Sequence, residues 1–238
     1  MKIKIYRGAE KIGGNVIELA SVSEKILLDS GLPLDSEINR NEGIEELRER
    51  KILPDIKNLY LGEESKYSGV FITHSHNDHI GMIKYINSDI PVYMSKQTKR
   101  ILDVTDIFNE SGYNERKNIK IIEDKITTKD FDIEMFPIDH SAFDSKAFLI
   151  KEKLMGKTLF YTGDFRETGN NDRFKLFEKE FNQKKQEIDI LITEGTLIDN
   201  SKRQFETESD VKNEISNILK NGYNICLCVA SGQNIDRL

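Results

Sequence analysis

The stretch FITHSHNDHIGM, residues 71–82, carries three of the four histidines in the chain. His74 and His76 stand two residues apart at the end of a predicted strand, so their side chains project to the same side. Asp78 and His79 follow where the backbone turns into a predicted helix, and loops at strand ends commonly carry ligands. The spacing predicts that His74 and His76 converge on one metal ion while Asp78 and His79 reach a second.

A polar turn is the plain alternative, with Asn77 or Asp78 capping the following helix. A cap explains one residue and leaves three clustered histidines without a reason. Imidazole and carboxylate ligands without thiolate suit zinc, manganese or iron rather than a cysteine-rich structural zinc site. The metal interpretation is therefore favoured.

Two further ligand candidates follow predicted strands later in the chain. His140, the remaining histidine, comes after FDIEMFPID, and Asp164 comes after LFYTG, where Gly163 permits a close backbone approach. Taken alone, His140 is typical of a satisfied surface or core residue, and Asp164 of a turn. Together with the first cluster they predict a site for two cations, with the Asp164 carboxylate bridging them.

Alternating strand and helix patterns predict an α/β fold. Segments such as KIKIY, VIELA, KILLDSG, GVFITHS, IPVYMS and IDILITEGT have strand character, whereas GIEELRERKI, DHIGMIKYI and KQTKRILDVTDIF have helical spacing. In ETESDVKNEISNILKNG, Thr207 and Asp210 form a predicted capping box, and Gly222 suits the helix end. YNICLCVA predicts one more strand. We expect an α/β sandwich near residues 1–200, followed by an incomplete second unit.

Composition limits the function classes only loosely. The 238 residues are 37% hydrophobic, enough for a packed core, and no apolar run approaches the roughly 20 residues of a membrane-spanning helix. The start lacks a secretory signal, which favours a cytoplasmic location. The net charge of −6 neither establishes nor excludes a polyanionic substrate. Cys226 and Cys228 are predicted to be plain buried residues, as a reducing compartment permits.

The motif H-x-H-x-D-H at 74–79, with the later D-H-S and T-G-D segments, resembles the metallo-β-lactamase superfamily. DHSAFDSKAFLI, LFYTGDFRETG and LITEGTLI are most similar to its ribonuclease J and β-CASP branch. The terminal SGQNIDRL resembles the segment that opens the β-CASP region. The resemblance implies an αββα metallo-β-lactamase sandwich over residues 1–204. It also implies that residues 205–238 begin an incomplete β-CASP-like region, as in a truncated chain.

The resemblance also implies a ligand set for two divalent metal ions, zinc first, with manganese or iron as alternatives. By position, the first ion takes His74, His76 and His140, the second takes Asp78 and His79, and Asp164 bridges them. Asp78, His79 and Asp164 then form the catalytic group around a metal-bound hydroxide. Asp29, in LLDSG, matches an aspartate that orients a metal-bound histidine from behind. Capping of the DSG turn is a compatible alternative for Asp29.

The chain departs from the family pattern in one respect. The family supplies a further histidine to the second ion from far downstream, and this chain has no histidine left. We therefore expect the second ion to be weakly held. We also expect exposed apolar surface near residues 223–230, with association of copies into a homo-oligomer or instability as the consequence.

Hydrolysis of RNA phosphodiester bonds by the full-length protein, by analogy with the ribonuclease J branch, is the leading functional hypothesis. Ser231, Asn234 and Arg237 are candidate contacts to a substrate phosphate, because neutral hydrogen-bonding groups and a cation suit that ligand. Ser141, beside His140, is a further candidate, and an ordinary loop is the alternative in each case. Two rival functions stay open: a small-molecule ester, thioester or lactone hydrolase, and a non-catalytic metal-binding or interaction remnant.

Overall fold

The structure, a computed structural model, describes residues 1–39, 42–109, 111–169, 172–196, 198, 207–222, 225–227, 229 and 231–237. Within these residues the strands form two sheets, and the helices lie mainly on their outer faces. This mixed α/β arrangement confirms the predicted fold class.

The first sheet contains six strands among the described residues, in the order β1-β2-β3-β4-β5-β6. The first three strands pair antiparallel, and β3 to β6 run parallel. The bounds are β1 Lys2–Arg7, β2 Val16–Ala20, β3 Lys25–Leu28, β4 Gly69–Phe71, β5 Val92–Met94 and β6 Ile119–Ile121.

The second sheet contains five strands among the described residues, in the order β11-β10-β9-β8-β7. Its strands pair antiparallel except for β10 with β11. The bounds are β7 Lys125–Thr127, β8 Phe131–Pro137, β9 Lys146–Glu152, β10 Thr158–Tyr161 and β11 Ile190–Ile192. The turn between β9 and β10 holds Gly156 at a φ of +67°, where glycine is unstrained.

Five α-helices occur in the described part of the chain: α1 Ile44–Glu49, α2 Asn77–Ile80, α3 Lys96–Asn109, α4 Arg173–Lys184 and α5 Glu208–Lys220. Short 3₁₀ turns lie at Tyr113–Glu115 and Ile235–Arg237. Helix α5 begins with the predicted capping box: Thr207 accepts from the Asp210 backbone N–H, while the Asp210 carboxylate accepts from that of Thr207.

The hydrophobic residues separate into three layers because each sheet buries both faces. Phe71 of the first sheet packs with Phe148 of the second in the layer between the sheets. On the outer face of the first sheet pack residues that include Leu47 of α1 and Leu102 of α3. On the outer face of the second sheet pack Phe177 and Phe181 of α4. The result is the four-layer αββα sandwich that the sequence predicted.

The direction of four strands decides where the polar loops gather. Strands β3 and β4 are parallel neighbours, and β8 and β10 are parallel to each other because both run antiparallel to β9. Their carboxyl ends therefore lie at one edge of the sandwich. The backbone N–H of Lys146 in β9 donates to the Thr73 carbonyl over 3.0 Å, which joins the two sheets at this edge.

Two predicted elements differ from the observed ones. The helix predicted over DHIGMIKYI ends at Ile80, because the Asp78 carbonyl accepts from Asn15 and the Met82 N–H donates to Ser30 instead of continuing the helical ladder. The strand predicted at YNICLCVA is absent over 225–227.

Cys226, predicted to be buried, is exposed, and Cys228 lies outside the described residues. The burial prediction is therefore wrong for Cys226: its segment joins neither sheet in the described residues, so nothing covers it. Its neighbours Ile225, Leu227 and Val229 are 79%, 90% and 99% exposed, which matches the exposed apolar surface expected there. No helix among the described residues has the length and apolar character of a membrane span.

Candidate metal centre

Three imidazoles meet at the edge where the strand ends gather. His74 and His76 lie in the loop after β4, and His140 lies in the loop after β8. The distance from His74 Nε2 to His76 Nδ1 is 3.2 Å, and that from His76 Nδ1 to His140 Nε2 is also 3.2 Å. The structure thus brings together three nitrogen atoms from loops that are 64 residues apart in sequence.

This spacing fits a metal ion. Tetrahedral coordination with nitrogen ligands at about 2.0–2.1 Å separates those ligands by about 3.3 Å. Burial lowers the pKa of His74 well below its ordinary value, lowers that of His76, and lowers that of His140 to about 4. The three imidazoles are therefore uncharged at neutral pH, and each has a nitrogen lone pair available to a cation.

Asp78, His79 and Asp164 form the neighbouring half of the cluster. His79 Nε2 lies 3.3 Å from Asp164 Oδ1 and 3.7 Å from Asp78 Oδ2. The other Asp164 oxygen lies 3.7 Å from His140 Nε2. Asp164 therefore stands between the two halves, with one oxygen toward each. Single ligand atoms of His74, His79 and Asp164 all lie within 4.8 Å of one another, which is close enough for a shared cation.

A buried carboxylate stands behind this half. Asp29, fully buried at the end of β3, accepts from His79 Nδ1 over 2.7 Å and from the Tyr161 hydroxyl over 2.7 Å. Its other oxygen accepts from the backbone N–H of Thr73 over 2.8 Å. With its Nδ1 held in this way, His79 directs Nε2 toward Asp164 and Asp78.

Charge in the two halves is compensated differently. Burial alone would lower the pKa of His79, but Asp29 and Asp164 raise it to about 10. Burial would raise the pKa of Asp164, but the adjacent His79 holds it below its ordinary range. For Asp78, burial outweighs its neighbours and raises the pKa. Without a cation, His79 therefore carries a proton that balances the surrounding carboxylates.

Close backbone packing fixes Asp78. A Cβ built on Gly31 would stand 1.6 Å from the Asp78 carbonyl oxygen, so the chain after β3 passes this point only as glycine. The same carbonyl accepts from the Asn15 backbone N–H over 2.9 Å, and the Asn15 side chain lies 3.2 Å from His79 Nε2. Gly163, as predicted, permits close approach: a Cβ there would meet the Thr73 side chain at 2.9 Å.

The predicted substrate contacts lie in two places. Ser141 Oγ is 3.5 Å from His140 Nε2, at the edge of the cluster. Ser231 is exposed and Asn234 is buried, whereas the Arg237 side chain lies outside the described residues. These four contacts stay predictions. Gln233, which lies between Ser231 and Asn234, accepts from the Ser75 hydroxyl over 3.0 Å. This hydrogen bond attaches the segment around Gln233 to the loop that carries His74 and His76.

Thr73, Tyr161 and Asn15 support the cluster but were not predicted. Thr73 donates from Oγ1 to Asp29 and lies 2.9 Å from His74 Nδ1, so it connects both halves. Tyr161 lies two residues after Leu159 in β10, so both side chains face the layer between the sheets. This alternation along the strand is the signal in the sequence that could have indicated that Tyr161 points inward. Neutral residues of this kind carry no chemical signature of their own in a sequence.

A cleft of about 370 Å³ opens over the second half of the cluster. Its polar lining includes Asp78, His79, Asp164, Glu194 and Lys11. Carboxylates at the floor of a cleft, together with the His79 imidazole once its proton has left, can bind a cation and orient water beside a bound substrate. This arrangement is that of a metal-dependent hydrolytic site.

The family assignment agrees with this geometry. Residues 47–220 match the family model described as a beta-lactamase superfamily domain. The chain therefore belongs to the metallo-β-lactamase superfamily, whose fold implies divalent metal binding and hydrolysis. Among the curated relatives, a ribonuclease J of Helicobacter pylori is 31% identical over 171 residues, covering 70% of this chain and 23% of that protein.

The chain spans about a quarter of the length of the ribonuclease J relatives it matches, between 23% and 28% for several of them. A protein of unknown function from Enterococcus faecalis superposes with a TM-score of 0.75 at 26% identity, over 92% of this chain and 57% of that one. A putative metallo-β-lactamase from Thermotoga maritima superposes with a TM-score of 0.50 at 20% identity, over 81% and 95%. The latter likeness concerns the fold alone.

Proposed function

We propose that this metallo-β-lactamase-fold hydrolase cleaves phosphodiester bonds in RNA with the help of two divalent cations. His74, His76 and His140 would hold the first cation, and Asp78 and His79 would hold the second. Asp164, which lies between the two groups, would serve both. The observation that carries the proposal is the position of Asp164, whose two oxygens lie 3.3 Å from His79 Nε2 and 3.7 Å from His140 Nε2. Similarity to ribonuclease J supports RNA as the substrate class.

When bound, divalent cations supply Lewis acidity and make water a nucleophile near neutral pH. Asp78 and Asp164 then accept hydrogen bonds from the attacking water and orient it toward the phosphorus. Asp29 keeps the His79 ring turned toward the cation through the 2.7 Å bond to Nδ1. Ser141, Ser231, Asn234 and Arg237 are proposed to contact substrate phosphates. The hydrogen bond from Ser75 to Gln233, which attaches the segment of the last three to the histidine loop, supports this proposal.

Zinc is the proposed cation, with manganese or iron as alternatives, because the ligand set contains nitrogen and oxygen but no sulfur. Residues 205–238 are proposed to begin a second, β-CASP-like unit after the metallo-β-lactamase domain of residues 1–204. A cytoplasmic location and self-association stay predictions.

The test uses the chain treated with chelator and reloaded with zinc or manganese. A labelled RNA, bis-p-nitrophenyl phosphate and a simple thioester are supplied in parallel, and product formation is followed for each. We expect cleavage of RNA and of the phosphodiester, and Asp78→Ala should abolish both. Asp89→Ala removes an exposed aspartate of the same type and should leave the rates unchanged.

Each alternative function predicts a different result. Turnover of the thioester without cleavage of RNA would favour a small-molecule hydrolase. Binding of metal without turnover of any substrate would favour a non-catalytic metal-binding module. Unchanged RNA cleavage by Asp78→Ala would contradict the catalytic assignment directly.

A further inference from the structure

An ion pair joins the two loops that carry His140 and Asp164. Arg166 lies two residues after Asp164, and its Nε donates to Asp139 Oδ1 over 2.9 Å. The backbone N–H of Arg166 also donates to the Asp139 carbonyl oxygen over 2.7 Å. Asp139 directly precedes His140 and is buried. One arginine therefore links both ligand-carrying loops through a buried carboxylate.

The same guanidinium reaches helix α5. Arg166 Nη1 donates to Glu208 Oε1 over 3.0 Å, and Glu208 is the buried first residue of that helix. The backbone N–H of Glu208 donates to the Thr168 carbonyl over 3.2 Å. The start of α5 is thus attached to the loop after β10 by both side-chain and backbone contacts.

The second Asp139 oxygen is packed just as closely. A Cβ built on Gly169 would stand 1.7 Å from Asp139 Oδ2, so the chain crosses this carboxylate only as glycine. With Arg166 at one oxygen and Gly169 at the other, the Asp139 carboxylate has little room to move. Because Asp139 and His140 are adjacent in the chain, a fixed Asp139 restricts where the His140 ring can lie.

We propose that Arg166 is a positioning residue of the metal centre, acting on His140 through Asp139. The proposal rests on the metal-binding part of the proposed function. The planar guanidinium holds two buried carboxylates in fixed directions, which a flexible ammonium group does not reproduce. Without Arg166, the Asp139 charge would be buried and unpaired, so its loop would shift to hydrate it. His140 would then move away from its 3.2 Å separation from His76.

The test measures Zn²⁺ affinity of the full chain by competition with a chromophoric chelator. We expect Arg166→Met and Asp139→Asn each to weaken the tighter zinc site about tenfold, the lower end for groups that support metal ligands. The double variant should be no weaker than Arg166→Met alone, because both changes break one interaction. Glu208→Gln alters the contact between Arg166 and α5 but leaves the Arg166–Asp139 pair in place, so it should change affinity less than about threefold.

Lys157→Met is the matched control, because it breaks the Lys157–Asp189 ion pair of 2.5 Å at the opposite end of β10. It should leave zinc affinity unchanged. Urea unfolding of the metal-free variants, measured in parallel, separates positioning from general stability. Loss of stability with unchanged zinc affinity, or additive effects in the double variant, would overturn the proposal.

Folding failure of Arg166→Met does not prevent the test, since the double variant removes both charges of the Arg166–Asp139 pair and is compared with Asp139→Asn. The readout does not depend on RNA cleavage. A wild-type chain that binds zinc but cleaves no RNA refutes the substrate assignment and leaves this inference standing. A wild-type chain that binds no divalent cation overturns both.

Discussion

His79 and His140 flank the same carboxylate and yet have opposite protonation behaviour. Their Nε2 atoms lie 3.3 and 3.7 Å from the two oxygens of Asp164. The pKa of His140 falls to about 4 because burial outweighs the single nearby carboxylate. The pKa of His79 rises to about 10 because Asp29 and Asp164 together outweigh an even deeper burial.

This difference in pKa means that the two halves of the cluster present different charges to an incoming cation. The half with His74, His76 and His140 offers neutral donors, so a cation enters without displacing protons near neutral pH. In the other half, the proton on His79 supplies the positive charge that a cation would supply, and this proton has to leave when a cation binds. We therefore expect metal binding in the His79 half to depend more steeply on pH.

The largest effect is expected from Asp164→Asn, which removes the group that the two halves share. We expect RNA cleavage to fall at least 10³-fold, about 4 kcal/mol in the activation barrier. The number of bound zinc ions, measured by elemental analysis after dialysis, should fall as well. Asp103→Asn, at a partly exposed position on α3 where the aspartate pairs with Lys99, is the control. Retention of both bound ions and full activity would contradict a shared carboxylate.

Asp29→Asn should affect only the half of the cluster that contains His79. The change leaves protonated His79 without its buried anionic partner, and breaking such a pair costs about 3 kcal/mol in the free energy of unfolding. Urea denaturation of the metal-free chain measures this loss. The tighter zinc affinity, assigned to the other half, should change much less. An equal loss of affinity in both halves would show that the halves are not separable.

The pH dependence of metal-free stability should separate the two histidines. His79 has a folded pKa raised from 6.5 to about 10, so its contribution is full below pH 6.5 and is lost as pH rises toward 10. His140 has a folded pKa lowered to about 4, so its contribution is present above pH 6.5 and is lost as pH falls toward 4. At about 1.4 kcal/mol per pKa unit, these contributions are at most about 5 kcal/mol for His79 and about 3 kcal/mol for His140.

Urea unfolding in chelator at pH 5, 7 and 9.5 measures these slopes. His79→Gln should flatten the alkaline side of the profile, and His140→Gln the acidic side. An alkaline slope that persists in His79→Gln would contradict the charge assignment for that half.

The smallest effect concerns a region outside both halves. Replacement of Ile225, Leu227 and Val229 with serine removes exposed apolar side chains and should reduce self-association by less than about 1 kcal/mol per contact. Sedimentation velocity at several concentrations measures the change. Zinc affinity and RNA cleavage should stay as in the unmodified chain. Altered metal binding would mean that this segment contacts the cluster.

The cluster could be predicted because its residues are chemically conspicuous and follow strands. Strand direction then explains why His140 and Asp164 meet His74, although these residues are far apart in sequence. Asp29 was accessible only through resemblance, since an aspartate before a turn has an ordinary local explanation. Its φ of +55°, uncommon for a residue other than glycine, becomes visible only in the folded chain.

The errors came from contacts between distant segments. The helix after Asp78 ends at Ile80 because Asn15 takes the carbonyl that the helix would need, and no local pattern reveals this. Cys226 was predicted to be buried on the assumption that its segment would join a sheet. Periodicity reports that a segment has an apolar side, but it does not report whether a neighbour covers it.

The hydrogen bonds from Tyr161 to Asp29 and from Lys146 to Thr73 cross between the sheets at the edge that carries the cluster. Neither bond uses an atom that is proposed to hold a cation, so we expect both to persist when metal is removed with a chelator. The chain should then exchange one cation for another without unfolding, in contrast to small zinc modules that unfold without their metal.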